Sequence, residues 1–129
     1  MRRKNLAIFA FIVFAAASFG GYIGNNNVQL NILKPVKDRM VIQMNADGFV
    51  PREVSLYEGN DVCFVNADTV ERWPASNNHP THAIYTEFDP QRGIAAGEEW
   101  CFQFDLPGTW RFHDHLHPEF RGMVTVKDK

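Results

Sequence analysis

The sequence predicts an all-β domain folded as an antiparallel sandwich. From Arg39 onward no stretch carries an apolar period of 3.6 residues, so no amphipathic helix is expected. Short runs of alternating apolar and polar residues recur instead, separated by turn signals rich in Gly, Asp and Pro. The core they would build is aromatic, with 11 Phe and 3 Trp in a chain of 129 residues.

The chain begins with a positive cluster, Met1-Arg2-Arg3-Lys4, followed by an almost purely apolar run from Leu6 to Phe14. Ala15-Ala16-Ala17-Ser18 then supplies small residues of the kind read by a signal peptidase, so residues 1–24 read as a signal peptide. The uncharged stretch continues to Gly24, about the 20 residues needed to cross a bilayer, which leaves an uncleaved membrane anchor as the alternative. Either way the positive end stays in the cytoplasm and the domain is exported, periplasmic or extracellular, touching the membrane only through this segment. Residues 25–38 are polar, contain Pro35 and read as a tether, leaving 39–129 as one domain. Without Arg2, Arg3 and Lys4 the chain has ten basic against fifteen acidic residues, a net of −5. With no basic stripe, nucleic acid is not expected as a partner.

The strands follow in order. Met40, Ile42 and Met44 alternate with Val41, Gln43 and Asn45, and both methionines read as packing. Asp47-Gly48 makes a turn into Phe49-Val50-Pro51, whose proline suits an edge. Val54–Tyr57 and Val62–Asn66 are the next strands, and a polar connection with Pro74, Pro80 and Pro90 runs from Ala67 to Pro90 as irregular loop. Glu99–Phe104, Thr109–His113 and Gly122–Val126 complete the set. Alternation puts Val62 and Phe64 on one core face, and Trp100, Phe102 and Phe104 on another. Cys63 and Cys101 therefore point away from the core. If their strands are neighbours, the sulfurs bridge outside the sheet as a disulfide in an oxidising compartment. A thiolate metal ligand is the less favoured reading, since neither cysteine is near a histidine.

All five histidines lie in two segments, Asn78-His79-Pro80-Thr81-His82 and Phe112-His113-Asp114-His115-Leu116-His117. Such clustering points to a metal site assembled from His79, His82, His113, His115 and His117. His113 and His115, two apart at a strand end, project from one face; His79 and His82 are three apart on a loop that Pro80 restricts. Four imidazoles, or three and a water, suit Cu(II), with zinc next. Glu87, Asp89 and Glu119 read as solvated loop charges; Trp73 and Tyr85 either shield the site or anchor its loop.

Several local patterns resemble one family. Asp47-Gly48-Phe49-Val50-Pro51, Val54 and Glu58-Gly59-Asn60-Asp61-Val62-Cys63-Phe64-Val65-Asn66 are similar to the opening half of a cupredoxin. Ile94-Ala95-Ala96-Gly97-Glu98, Phe102, Phe104, Pro107-Gly108-Thr109-Trp110 and Phe112 are similar to its closing half, so the resemblance covers Arg39 to Val126. It implies a Greek-key β-sandwich of about eight strands with copper at one end. It places His82 at the first histidine position, with His79 beside it, His117 near the second and Met123 near the axial methionine. Asp114 then stands where the family has its cysteine, and Met123 reads as core or as that axial ligand. His113-Asp114-His115 also resembles the His-x-His elements of multicopper oxidases.

Two ligand sets follow. One is His79, His82, His113 and His115; the other is His82, Asp114, His117 and Met123. The histidine-only set, with His82 and His115 in it, is preferred. Replacing a thiolate by a hard carboxylate removes the basis of blue-copper electron transfer. The resemblance implies an exported copper-binding protein that holds or delivers copper, with a copper donor or acceptor protein as partner, rather than an enzyme. The alternatives are a copper-dependent oxidoreductase in an oligomer and a metal-free interaction module at the cell surface. Affinity should fall as pH drops through about 6.5, because imidazole must be neutral to bind.

Overall fold

A computed structural model describes residues 38–129. The expected leader, and all but the last residue of the expected tether, lie outside the described residues. Eight strands and no helix are found there: β1 (Arg39–Asn45), β2 (Gly48–Val50), β3 (Glu53–Tyr57), β4 (Asn60–Asn66), β5 (Pro74–Ser76), β6 (Glu99–Phe104), β7 (Gly108–Asp114) and β8 (Arg121–Lys127). They form two four-stranded sheets, ordered β2-β1-β4-β6 and β3-β8-β7-β5.

The expected sandwich is present, but it is not wholly antiparallel. β1 pairs with β4 in parallel, and so does β3 with β8. Between β1 and β4 the chain forms the β1–β2 hairpin, crosses to the second sheet as β3 and returns. Pairing direction is thus set by crossings between layers, which the alternation within a strand does not encode. A second difference is β5, a three-residue strand inside the expected loop, paired with β7 from Pro74↔Asp114 to Ser76↔Phe112.

The strand faces follow the alternation. Ile42, Met44, Val62, Phe64 and Phe104 from one sheet meet Val54, Leu56, Phe112, Val124 and Val126 from the other. Phe88, from the β5–β6 connection, is fully buried against Phe64, Phe102, Phe104 and Phe112, with ring centroids 5.0–5.7 Å apart. It closes the side of the sandwich between β6 and β7, and burying such a ring contributes about 1.5–3 kcal/mol. That closure also anchors the loop carrying His79 and His82. Tyr85 is buried in the same wall, beside Phe102, Phe104 and Trp110, and anchors the loop rather than shielding histidines.

Cys63 and Cys101 face each other in the β4–β6 ladder and are joined by a disulfide. Cys101 is exposed, whereas Cys63, on a strand flanked by β1 and β6, is buried. Met123 departs from the expectation of core. Gly122, Val124 and Val126 take the buried face of β8, and Met123 sits half-buried on the other side, opposite Arg111.

Candidate metal centre

β7 positions half of the site. Phe112 and Asp114 point inward and are fully buried, so His113 and His115 turn to the outward side of the sheet. Residues after β5 supply the other half. Asn77 is tied back to β7 by its N–H to Arg111 O (3.1 Å), and His82 N–H donates to Asn78 O (2.6 Å), closing a tight loop. His82 takes φ +52°, a left-handed conformation unusual for a residue with a side chain.

The result brings His79, His82, His113 and His115 together, each offering one ring nitrogen, all within 4.8 Å of one another. His79 Nδ1 lies 3.2 Å from His113 Nε2, and His82 Nε2 lies 3.0 Å from His115 Nδ1. The remaining nitrogens of the two buried rings are held by oxygen acceptors. His82 Nδ1 meets Asp89 Oδ2 at 2.6 Å, and His113 Nδ1 meets Asn77 Oδ1 at 3.0 Å. These partners fix the protons on Nδ1 of His82 and His113 and leave their Nε2 lone pairs facing the cluster. His79 and His115 then donate from Nδ1 and must shift that proton to Nε2 to ligate.

Asp89 is a supporting residue rather than the solvated charge expected. Its Oδ1 accepts from Trp73 Nε1 (2.8 Å) and Gln91 N–H (2.7 Å) while Oδ2 holds His82. Burial alone would raise its pKa, but these hydrogen bonds outweigh it and hold the carboxyl below its usual range. Trp73 also packs its ring on His115, centroids 4.6 Å apart, and so does shield the cluster. His113 is pushed down to about 4, first by burial and then by the neighbouring imidazoles of His82, His79 and His115. His115 is lowered for the same reasons. Both shifts favour the neutral imidazole.

Asp114 and His117 lie elsewhere. Asp114 forms a fully buried ion pair with Arg72 and accepts from the backbone N–H groups of Trp73 (3.1 Å) and Leu116 (2.9 Å). Arg72 also bonds Asp68 (3.0 Å) and Asn45 O, and lies over the Phe120 ring. His117 Nδ1 is buried 3.4 Å from Asp114 Oδ2, with no hydrogen-bond partner among the described residues. Glu119 is exposed. Sequence reasoning missed Asn77, Asp89 and Arg72. An acid seven residues after His82 in the same connection was the one available signal for Asp89.

Neither a protein-family model nor a curated protein matches the sequence. Solved structures do. A purple cupredoxin from Nitrosopumilus maritimus superposes with a TM-score of 0.60 at 21% identity, covering 68% of this chain and 99% of that one. The fold is that of the cupredoxins. Amicyanin from Paracoccus versutus gives a TM-score of 0.61 at 21% identity, over 70% of this chain and 82% of its own. A copper-containing nitrite reductase from Thermus scotoductus gives 0.58 at 20% identity, with 71% of this chain matching 23% of that larger one. At such identities the shared feature is the cupredoxin sandwich itself. The resemblance read from the local motifs therefore holds at the level of architecture.

Two of the nitrogen pairs are spaced as two ligands of one metal ion would be. Nitrogen–metal bonds near 2.0–2.1 Å put neighbouring ligand atoms about 2.9–3.4 Å apart in square or tetrahedral geometry. The 3.2 and 3.0 Å nitrogen pairs match that spacing. Both cysteines of the chain are consumed by the disulfide, so no thiolate is available to the centre.

Proposed function

We propose that this protein is an exported copper-binding cupredoxin-like protein that holds or delivers Cu(II) through His79, His82, His113 and His115. The observation that carries this reading is the convergence of four ring nitrogens within 4.8 Å, two of them backed by oxygen acceptors. Neutral imidazoles suit Cu(II), with zinc the competitor. Copper bound there would be a non-blue, histidine-ligated ion. His82 and His113 supply fixed lone pairs, while His79 and His115 ligate after moving a proton between their ring nitrogens. Asp114, engaged with Arg72, serves the framework that turns the histidines outward. The exposed Ile84 and Leu116, near His82 and His115 in sequence, suit contact with a copper donor or acceptor protein.

Titration of the purified protein with Cu(II), read by calorimetry and EPR, tests the proposal. One ion per chain, with nitrogen hyperfine structure and no intense visible thiolate band, is the expected result. His113→Ala should weaken binding at least tenfold. A wild-type Kd weaker than about a micromolar, or an intense thiolate band, would overturn it.

A further inference from the structure

We infer that the candidate centre also takes a small carboxylate anion, held in the cleft shared by His79, His113 and Arg121; this rests on the copper reading above. The cleft has a volume of about 240 Å³ and is lined by Asn77, Asn78, His79, His113, Pro118 and Arg121. That is room for an anion of formate or acetate size beside the rings.

The four histidines are not equivalent. His82 is braced by Asp89, His113 by Asn77 and His115 by the Trp73 ring. His79 is exposed, and its Nδ1 meets only the His113 ring nitrogen. The open side of the centre is therefore the His79 side, which faces this cleft.

Arg121 stands directly across the β7–β8 ladder from His113, so both side chains leave the same outward face. Its Nε donates to Pro118 O at 3.2 Å, which orients the guanidinium. No carboxylate among the described residues forms an ion pair with it. The acids beside the histidines are engaged elsewhere, Asp89 with His82, Trp73 and Gln91, and Asp114 with Arg72; Glu119 and Asp47 line a separate cleft with Arg121, but neither forms an ion pair with it. Four neutral imidazoles leave the charge of a divalent ion uncompensated, and an unpaired guanidinium adds to it. The species that complements both is an anion. The planar fork of arginine matches the two oxygens of a carboxylate, leaving the other edge of the anion for the metal side.

The test is a formate titration of the Cu(II)-loaded full-length protein, followed by EPR, in wild type, Arg121→Gln and Arg111→Gln. Arg111 is exposed on the same strand pair but does not line the cleft. Wild type and Arg111→Gln should show a saturable spectral change, and Arg121→Gln should need about tenfold more formate. Chloride at equal ionic strength should not reproduce the change, and copper affinity should not fall in either variant. If copper binds but formate gives no change, or Arg121→Gln responds like wild type, or chloride matches formate, the inference falls and the copper reading stands. If wild type binds no copper, both fall together.

Discussion

Replacing Asp89 by Asn isolates the contribution of a residue that stands behind His82 rather than in the histidine cluster. In the native site Asp89 Oδ2 accepts from His82 Nδ1 at 2.6 Å, and Oδ1 accepts from Trp73 Nε1 and Gln91 N–H at 2.8 and 2.7 Å. An asparagine that keeps the two Oδ1 bonds must turn its amide NH2 toward His82 Nδ1. Two donors then face each other, and relief comes by moving the imidazole proton to Nε2, the atom that faces the cluster. The variant therefore favours the tautomer that cannot ligate. Loss of a carboxylate behind a ligating histidine typically costs 10–100-fold in metal affinity, about 1.4–2.7 kcal/mol. The donor clash places Asp89→Asn at the upper end of that range. Chelator competition on wild type, Asp89→Asn and the exposed Glu87→Gln measures it, with Glu87→Gln expected to match wild type. An Asp89→Asn affinity within threefold of wild type would refute the argument, because the Asp89–His82 bond would then be irrelevant to the lone pair.

Three other perturbations have calculable signs. His113 is held near 4 against 6.5 when free, so between those values the unfolded chain takes up a proton that the folded one refuses. Metal-free stability should thus be level above about pH 7 and fall by up to about 3 kcal/mol toward pH 4, seen as a falling Tm; a flat Tm across that window contradicts it. Removing the Cys63–Cys101 disulfide, which spans 38 residues, should lower unfolding free energy by roughly 4 kcal/mol in denaturant titrations. Copper affinity should not change, because the bridge joins strands of the sheet opposite the histidines. Asp114→Ala strips the buried Arg72 of its fully buried partner and leaves it only the partly exposed Asp68, so a loss of about 3 kcal/mol is expected, against a smaller loss for the apolar double variant Arg72→Met/Asp114→Leu. Equal losses in single and double variants would show that desolvated charge is not the cause.

Much of this fold is legible locally. Trp100, Phe102 and Phe104 announce the inner face of β6 by simple alternation, and the same rule sends Cys101 outward to meet Cys63. The alternation of Phe112, His113, Asp114 and His115 likewise separates the carboxylate from the two rings. What stayed hidden depends on partners distant in sequence. Pro74–Ser76 is buried on every residue, so it shows no alternation, and its proline disguises a strand that sits at a sheet edge. Arg72 is fully buried only because Asp114, 42 residues later, and Asp68 accept from it. Nothing adjacent to Arg72 marks it as an interior residue. Asp89 became a brace rather than a surface charge through Trp73, which a polar loop composition does not suggest.

The seam between β5 and β7 has a consequence for how the molecule breathes. β5 offers only three paired residues, and the segment after it carries His79 and His82 while β7 leads to His113 and His115. An ion gripped by all four rings would rivet a short edge strand to the body of the sheet. Opening that edge would then require breaking metal–ligand bonds as well as a few ladder hydrogen bonds. Amide exchange of residues 74–82 should slow on metal loading more than exchange in β4 or β8, which lie inside their sheets with a neighbour on either side. The loaded protein would resist proteolytic nicking at this edge, making metal retention and structural endurance a single property.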